Sequence, residues 1–323
     1  MKPSISPTLR RILTDTRKEI EQDKARENAD RLKSRLRDAA PVISFSSALS
    51  AGNALIAELK ECSPSQGQMR SENVAQALST YQQSPVVKAI SVLTSWTNFG
   101  PTMRVERLAA AKQQTGKPVL RKDFILEDYQ VYQARAYGAD AILLMANILQ
   151  PEELRRLSDL ASELGMDTLF ETHCATELDG LPKTAKLLGI NSRSFEGGLG
   201  LSNFKISRFL RQTFGSRRDH STDLARFGYV EKLPASAIKI AESGISADNC
   251  RQVLSLGFHA ILVGTSLLLD PRGVSPALHD FELAMAGPAP NTRRSQGGGE
   301  KAAPDPAVSG SSPSPHRMGR GSG

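Results

Sequence analysis

Cysteine is scarce in this chain of 323 residues: Cys62, Cys174 and Cys250 stand far apart and form no Cys-x-x-Cys pair. Three isolated thiols exclude a disulfide framework and a zinc knuckle, and they fit a reducing compartment. The five histidines show no metal-ligand spacing, so no metal is expected. Aromatic residues make up only 5% of the chain, and no basic stripe is interleaved with them. No nucleic-acid partner is therefore expected. No apolar run approaches the roughly 20 residues that span a bilayer. The opening MKPSISPTLRRILTDTRKEIEQDK has no apolar core of secretory type. Both absences lead to the expectation of a cytoplasmic protein with no membrane partner.

What is present is a chain able to bury a large core, with 39% hydrophobic and 23% charged residues. The net charge is +7, and the last segment, 287–323, carries five Arg or Lys against two Asp or Glu. That segment is rich in Gly, Pro and Ser and nearly devoid of large apolar side chains. It cannot bury enough surface to offset ordering entropy and reads as a disordered tail. At the other end, residues from Thr8 to about Ala40 are strongly charged, with sparse apolar positions at Leu9, Ile12, Leu13, Ile20, Leu32 and Leu36. Their spacing predicts an amphipathic helical arm packed on something larger.

Between Leu55 and Leu269, short apolar or β-branched runs alternate with helical patterns. The runs are LIAELK (55–60), VVKAISVLT (86–94), PVLRKD (118–123), DAILLM (140–145), DTLFETH (167–173), LLGINSR (187–193), IKIAES (238–243) and AILVGTS (260–266). Their continuous apolar character suits parallel strands buried on both faces. Helix signals lie between them. Pro151 stands before Glu152 and Glu153, Ser246 precedes Ala247–Leu256, and Gly116, Gly138, Gly165 and Gly257 stand where helices should end. Helices are thus predicted over Thr102–Thr115 and Glu127–Tyr137. One gap, 195–234, is long enough for an extra helix and a polar loop containing Arg217, Arg218, Asp219 and His220. Eight such units predict a (β/α)8 TIM barrel. A doubly wound sheet is the alternative, weakened because no GxGxxG follows the first run. The division expected is a helical extension over 1–50, a catalytic barrel over 51–286 and the tail over 287–323.

Active sites of this barrel form at the C-terminal ends of its strands. Those ends carry Glu58 and Lys60, Lys122 and Asp123, Glu171 and His173, Asn191 and Arg193, Glu242-Ser243-Gly244, and Gly264-Thr265-Ser266. A single charge at the end of an apolar run is most often a structural ion pair, because charge is costly there unless paired. Such termini on several strands point instead to a shared site. The lysines and carboxylates can supply acid, base and electrostatic partners. Gly244 and Gly264 leave backbone N–H groups open to a phosphate.

The chain resembles the indole-3-glycerol phosphate synthase family. The motifs that carry the resemblance are IAELKECSPSQG (56–67), SVLT (91–94) with Phe99-Gly100 following, PVLRKDFILEDYQVYQARAYGADAILLMANIL (118–149), GMDTLFETH (165–173), GINSR (189–193), AESGIS (241–246) and LVGTSLL (262–268). It covers about residues 8–286. It implies conversion of 1-(2-carboxyphenylamino)-1-deoxyribulose 5-phosphate to indole-3-glycerol phosphate, carbon dioxide and water, with no cofactor or metal. It implies Lys122 as general acid and Glu171 as general base, with Lys60, Glu58, Asn191 and Glu242 completing the catalytic set. Lys60 would face the anthranilate carboxylate. Ser63, Arg193, Ser243, Gly244, Gly264 and Thr265 would bind substrate, several of them at its phosphate. Association with other tryptophan-pathway enzymes is compatible with the resemblance. The family's Asn-Asn-Arg-Asp-Leu stretch reads Asn191-Ser192-Arg193-Ser194-Phe195 here, and the loop after it is longer. The runner-up readings are another phosphate-binding barrel, such as phosphoribosylanthranilate isomerase, and a non-catalytic barrel scaffold. The isomerase reaction wants a Cys/Asp pair, whereas Cys62 reads as a small packed residue.

Overall fold

Eight strands close into a parallel barrel in chain order: β1 (Ala54–Leu59), β2 (Val87–Leu93), β3 (Val119–Lys122), β4 (Ala141–Met145), β5 (Asp167–Thr172), β6 (Leu187–Asn191), β7 (Ile238–Glu242) and β8 (Ala260–Val263). Closure is direct, because β1 pairs with β2 on one side and with β8 on the other. The structure is a computed structural model and describes residues 5–64, 66–193 and 222–287. By backbone contacts the chain divides into Met1–Gly287 and Pro288–Gly323. The expectations for the 287–323 tail beyond Gly287, and for the polar loop with Arg217, Arg218, Asp219 and His220, lie outside the described residues. Among the described residues, no helix is long and apolar enough to cross a membrane.

The eight apolar runs are strands because every strand is buried on both faces. Alternate residues point to opposite sides. Ala54, Ile56, Leu120, Leu143, Leu169 and Leu262 join one buried cluster that fills the barrel. Their neighbours in sequence, such as Leu55, Ala57, Ile142, Phe170 and Val263, join the larger cluster beneath the surrounding helices. The helix signals hold with small shifts. Pro151 opens Pro151–Glu163, and Ser246 forms a reciprocal capping pair with Asn249 at the start of Ala247–Ser255. Gly116 ends Glu106–Thr115 at φ +65°. That helix begins later than its pattern suggests, and the Thr102 N–H before it donates to the Glu61 carboxylate. The long gap contributes a 3-10 segment, Leu224–Lys232.

The N-terminal arm is two helices, not one. The first, α1 (Pro7–Arg26), stops at Glu27, where the backbone turns extended. Asn28 then accepts the Arg31 N–H at 3.0 Å and starts a second helix, Ala29–Arg35. An Asn side chain that captures a local N–H favours a cap over helix continuation. α1 lies over the C-terminal end of the barrel. Its Leu9, Ile12 and Leu13 share the interior cluster with Phe124 and Ile148, which follow β3 and β4. Buried Glu19 accepts the Thr97 N–H at 2.7 Å, and buried Asp23 accepts the Gln133 amide at 2.8 Å.

A short helix, Phe45–Leu49, plugs the opposite end. Its Phe45 and Leu49 are fully buried and belong to the interior cluster. The Ser46 N–H donates to Asp167 at the start of β5, and the Ile43 N–H donates to Asp140 just before β4. Asp140, fully buried, also accepts from Lys112 and from the Val119 N–H. Replacing Phe45 with Ala should cost about 3–5 kcal/mol, the usual range for a fully buried phenylalanine. Urea unfolding monitored by far-ultraviolet circular dichroism measures it. A loss below about 1 kcal/mol would show that the plug carries no packing load.

Candidate active site

The inward column of four strands changes character as it climbs. In β1 it runs Ala54, Ile56, Glu58 and then Lys60; in β5, Leu169, Glu171 and His173; in β7, Ile240 and Glu242; in β3, Leu120 and Lys122. Apolar residues fill the lower layers, and charged residues occupy the upper layer at the strand C-termini. Strand registration sets them side by side: Glu171 pairs with Gly189, and Asn191 with Glu242. The residues that share this mouth thus come from stretches more than 180 positions apart.

Lys122 is the hub. Its Nζ lies 3.0 Å from Glu171 Oε2 and 3.0 Å from Glu242 Oε2. The second lysine, Lys60, donates to Glu58 Oε1 at 2.6 Å, with both side chains 6% exposed. The Asn191 amide donates to Glu171, while Asn191 Oδ1 accepts the Arg193 N–H at 2.9 Å. Arg193 leaves the barrel wall in a bridge with Thr222. Two glycines make room for the carboxylates. A Cβ at Gly264 would run into Glu58, and one at Gly189 would run into Glu242. Gly264, read from sequence as a phosphate approach, therefore has its vacant side filled by Glu58. Ser243 and Gly244 follow at φ +70° and +71°, a conformation that is costly for serine. The Ser243 carbonyl accepts the Ser192 hydroxyl at 2.9 Å. Thr265 opens a four-residue helix directly after β8. Ser63 sits in a small hairpin after β1, and its hydroxyl accepts the Gln66 N–H at 3.1 Å.

All twelve residues singled out from the sequence lie at or just beyond the C-terminal ends of their strands. Glu58, Lys60, Lys122, Glu171, Asn191 and Glu242 form the packed charged layer. Ser63, Arg193, Ser243, Gly244, Gly264 and Thr265 sit in the connections that leave it. Gly189 went unnoticed, although a glycine inside a strand signals close approach by a neighbouring group. His173 also contacts the layer, with Nε2 3.4 Å from Glu171 Oε1. Phe99 and Phe124 stack with ring centroids 6.3 Å apart, after β2 and β3. Cys62, half-buried, directs its sulfur at the Asn98 carbonyl, 3.6 Å away. A separate cavity of about 330 Å³ lies between α1 and the connections after β3 and β4, lined by Ile20, Leu126, Ile148 and Leu149 among others; it holds none of the charged layer. Among the described residues, no three His, Cys, Asp or Glu side chains are disposed to hold a metal ion.

The layer holds three carboxylates against two ammonium groups, so one carboxylate favours a proton. Burial pushes Glu242 up to about 8, with Glu171 adding to the rise and Lys122 opposing it. Burial also disfavours charge on Glu171, but Lys122, His173 and the Asn191 bond outweigh it and hold that group below the usual carboxylate range. Glu58 is likewise held low, because Lys60 and Lys122 outweigh its burial. Burial acts to discharge Lys122, yet Glu171, Glu242 and Glu58 hold its pKa above the ordinary lysine value. Near neutral pH the mouth therefore contains a cationic acid, an ionised carboxylate and a protonated carboxyl group within one hydrogen-bonded cluster. That is an acid–base set for chemistry at a carbonyl oxygen.

The raised Glu242 generates a signed pH dependence. Its stabilising contribution is complete below the ordinary value of 4.5 and is lost as pH rises through about 8. Glu171, shifted down, stays ionised throughout that interval and adds no slope. The unfolding free energy of the wild type relative to Glu242→Gln should therefore fall between about pH 5 and about pH 8. Urea titrations at a series of pH values measure it, and parallel curves would contradict the proton on Glu242.

Comparison with known proteins agrees with the geometry. The family model of indole-3-glycerol phosphate synthase matches residues 9–207. The indole-3-glycerol phosphate synthase of Koribacter versatilis is 35% identical over 284 residues, covering 86% of this chain and 99% of that protein. That of Neisseria meningitidis serogroup C is 35% identical over 269 residues, covering 80% and 94%. Among solved structures, 3-hexulose-6-phosphate synthase from Salmonella typhimurium aligns with a TM-score of 0.52 at 14% identity, covering 72% of this chain and 98% of that one, a likeness of fold alone. With a closed eightfold barrel, a charged mouth and relatives matched over nearly their full length, the chain belongs to the indole-3-glycerol phosphate synthase family.

Proposed function

We propose that this chain converts 1-(2-carboxyphenylamino)-1-deoxyribulose 5-phosphate to indole-3-glycerol phosphate, carbon dioxide and water in tryptophan biosynthesis. The observation that carries the reading is the Lys122 ammonium held between Glu171 and Glu242. In ring closure, the ring carbon bearing the carboxylate attacks the ribulose carbonyl carbon. The carbonyl oxygen takes a proton from Lys122 and becomes a hydroxyl. Carbon dioxide then leaves, and its bonding electrons restore the aromatic ring. In the last step the hydroxyl departs as water after a second protonation, and Glu171 removes a proton from the adjacent carbon to complete the indole double bond. A fixed ammonium favours the developing alkoxide, and two carboxyl groups in different protonation states keep an acid and a base available together.

Lys60 is assigned to the anthranilate carboxylate, with Glu58 holding its ammonium. Asn191 and Glu242 orient Glu171 and Lys122. Arg193, Gly244, Gly264 and Thr265 are assigned to the substrate phosphate, which anchors the flexible chain near a reactive geometry, and Ser63 and Ser243 to other parts of the substrate. The residues 1–50 serve as the extension that closes both ends of the barrel, 51–286 as the catalytic barrel and 287–323 as a dispensable tail. A charged sugar-phosphate substrate is confined by membranes, which supports a cytoplasmic location. The mild net charge outside the tail supports neither a nucleic-acid nor a membrane partner.

Incubating the purified chain with the carboxyphenylamino sugar phosphate should yield indole absorbance; a flat trace from folded protein would favour the scaffold reading. Lys122→Ala should lower kcat by about 10²- to 10⁴-fold, the usual span for a general acid, with a much smaller change in KM. Unchanged turnover would reject that role. Truncation after Gly287 should leave both turnover and melting temperature unaltered, and a large drop in either would contradict the dispensable tail.

A further inference from the structure

His173 lies one inward position above Glu171 on the β5 column, and its ring is almost fully buried, 7% exposed. The two oxygens of Glu171 are divided between neighbours: Oε2 faces Lys122 at 3.0 Å, and Oε1 faces His173 Nε2 at 3.4 Å. The histidine itself is held from both sides of its backbone. Its N–H donates to Glu177 Oε2 at 2.7 Å, and its carbonyl accepts from Arg226 at 3.1 Å. Glu177 comes from the 3-10 turn Ala175–Gly180, and Arg226 from the 3-10 segment Leu224–Lys232. Two charged side chains from separate connections thus fix where the imidazole can sit. Such backing of an orienting group is what keeps a general base in productive geometry.

We propose that His173, fixed by Glu177 and Arg226, is a positioning residue whose imidazole, packed 3.4 Å from Oε1 of Glu171, fixes the face this base presents to substrate. This rests on the assignment of Glu171 as base. The charged groups facing the imidazole are Glu171 on its own strand, Glu177, Arg226, and Lys122 from β3. Burial holds the ring toward its neutral form, with Arg226 and Lys122 acting the same way and the two glutamates opposing. A neutral imidazole has a single N–H. When turned toward the adjacent Oε1, that hydrogen stabilises the ionised carboxylate, and removing the ring lets Glu171 take up a proton more readily.

The test compares His173→Leu with His173→Gln, whose amide can restore a donor near the position of Nε2. For His173→Leu, kcat should fall about 10- to 100-fold with KM changed less than about threefold. The acidic limb of its kcat profile should move to higher pH. His173→Gln should recover most of kcat and return the limb toward the wild-type position. Wild-type kcat and profile in His173→Leu would overturn the proposal. So would equal losses in both variants with an unmoved limb, which would assign the residue to packing alone. Glu171→Gln in the same assay separates the two levels: retained turnover there would remove the base assignment itself, whereas its loss beside an unaffected His173→Leu would remove only the role of the histidine.

Discussion

A buried ammonium held between two buried carboxylates is the constraint around which the mouth of this barrel is arranged. Taking each such ion out of water costs several kcal/mol, and the attraction repays this only with close geometry and satisfied hydrogen bonds. Lys122 meets both glutamates at 3.0 Å, and Asn191 and His173 supply further contacts to Glu171. The remaining charge imbalance is resolved by keeping a proton on Glu242. The cluster that makes the charges tolerable is therefore also the cluster that holds an acid and a base in readiness.

That cluster can exist because the lower barrel carries the packing. Beneath the charged layer the interior is aliphatic, and the outward faces of the same strands pack on helices. Stability thus resides low in the barrel and chemistry at the top, the division expected for this architecture. The N-terminal arm serves both ends. Phe45 and Leu49 close the lower opening, while α1 lies across the connections after β2, β3 and β4, tied by the buried acids Glu19 and Asp23.

Much of this was legible in the residue order. Each of the eight apolar runs became a strand, because burial on both faces writes itself as continuous hydrophobicity. The period of two that places Glu58 beside Lys60, and Glu171 beside His173, is a local property of extended chain. The break between α1 and its successor was less visible. The charged pattern continues across it, and only the local capture of an N–H by Asn28 ends the helix.

Sequence by itself determined the succession of eight strands with helices between them and the set of polar residues ending the strands, since each follows from periodicity and local side-chain chemistry. Tertiary structure decided which of those polar groups touch. Registration between neighbouring strands brought Glu171 and Glu242 onto one lysine, set Gly189 and Gly264 where carboxylates need room, and put a proton on one acid of the pair. Such outcomes depend on distances between segments far apart in the chain and on shared burial, and neither quantity is carried by any single stretch of residues.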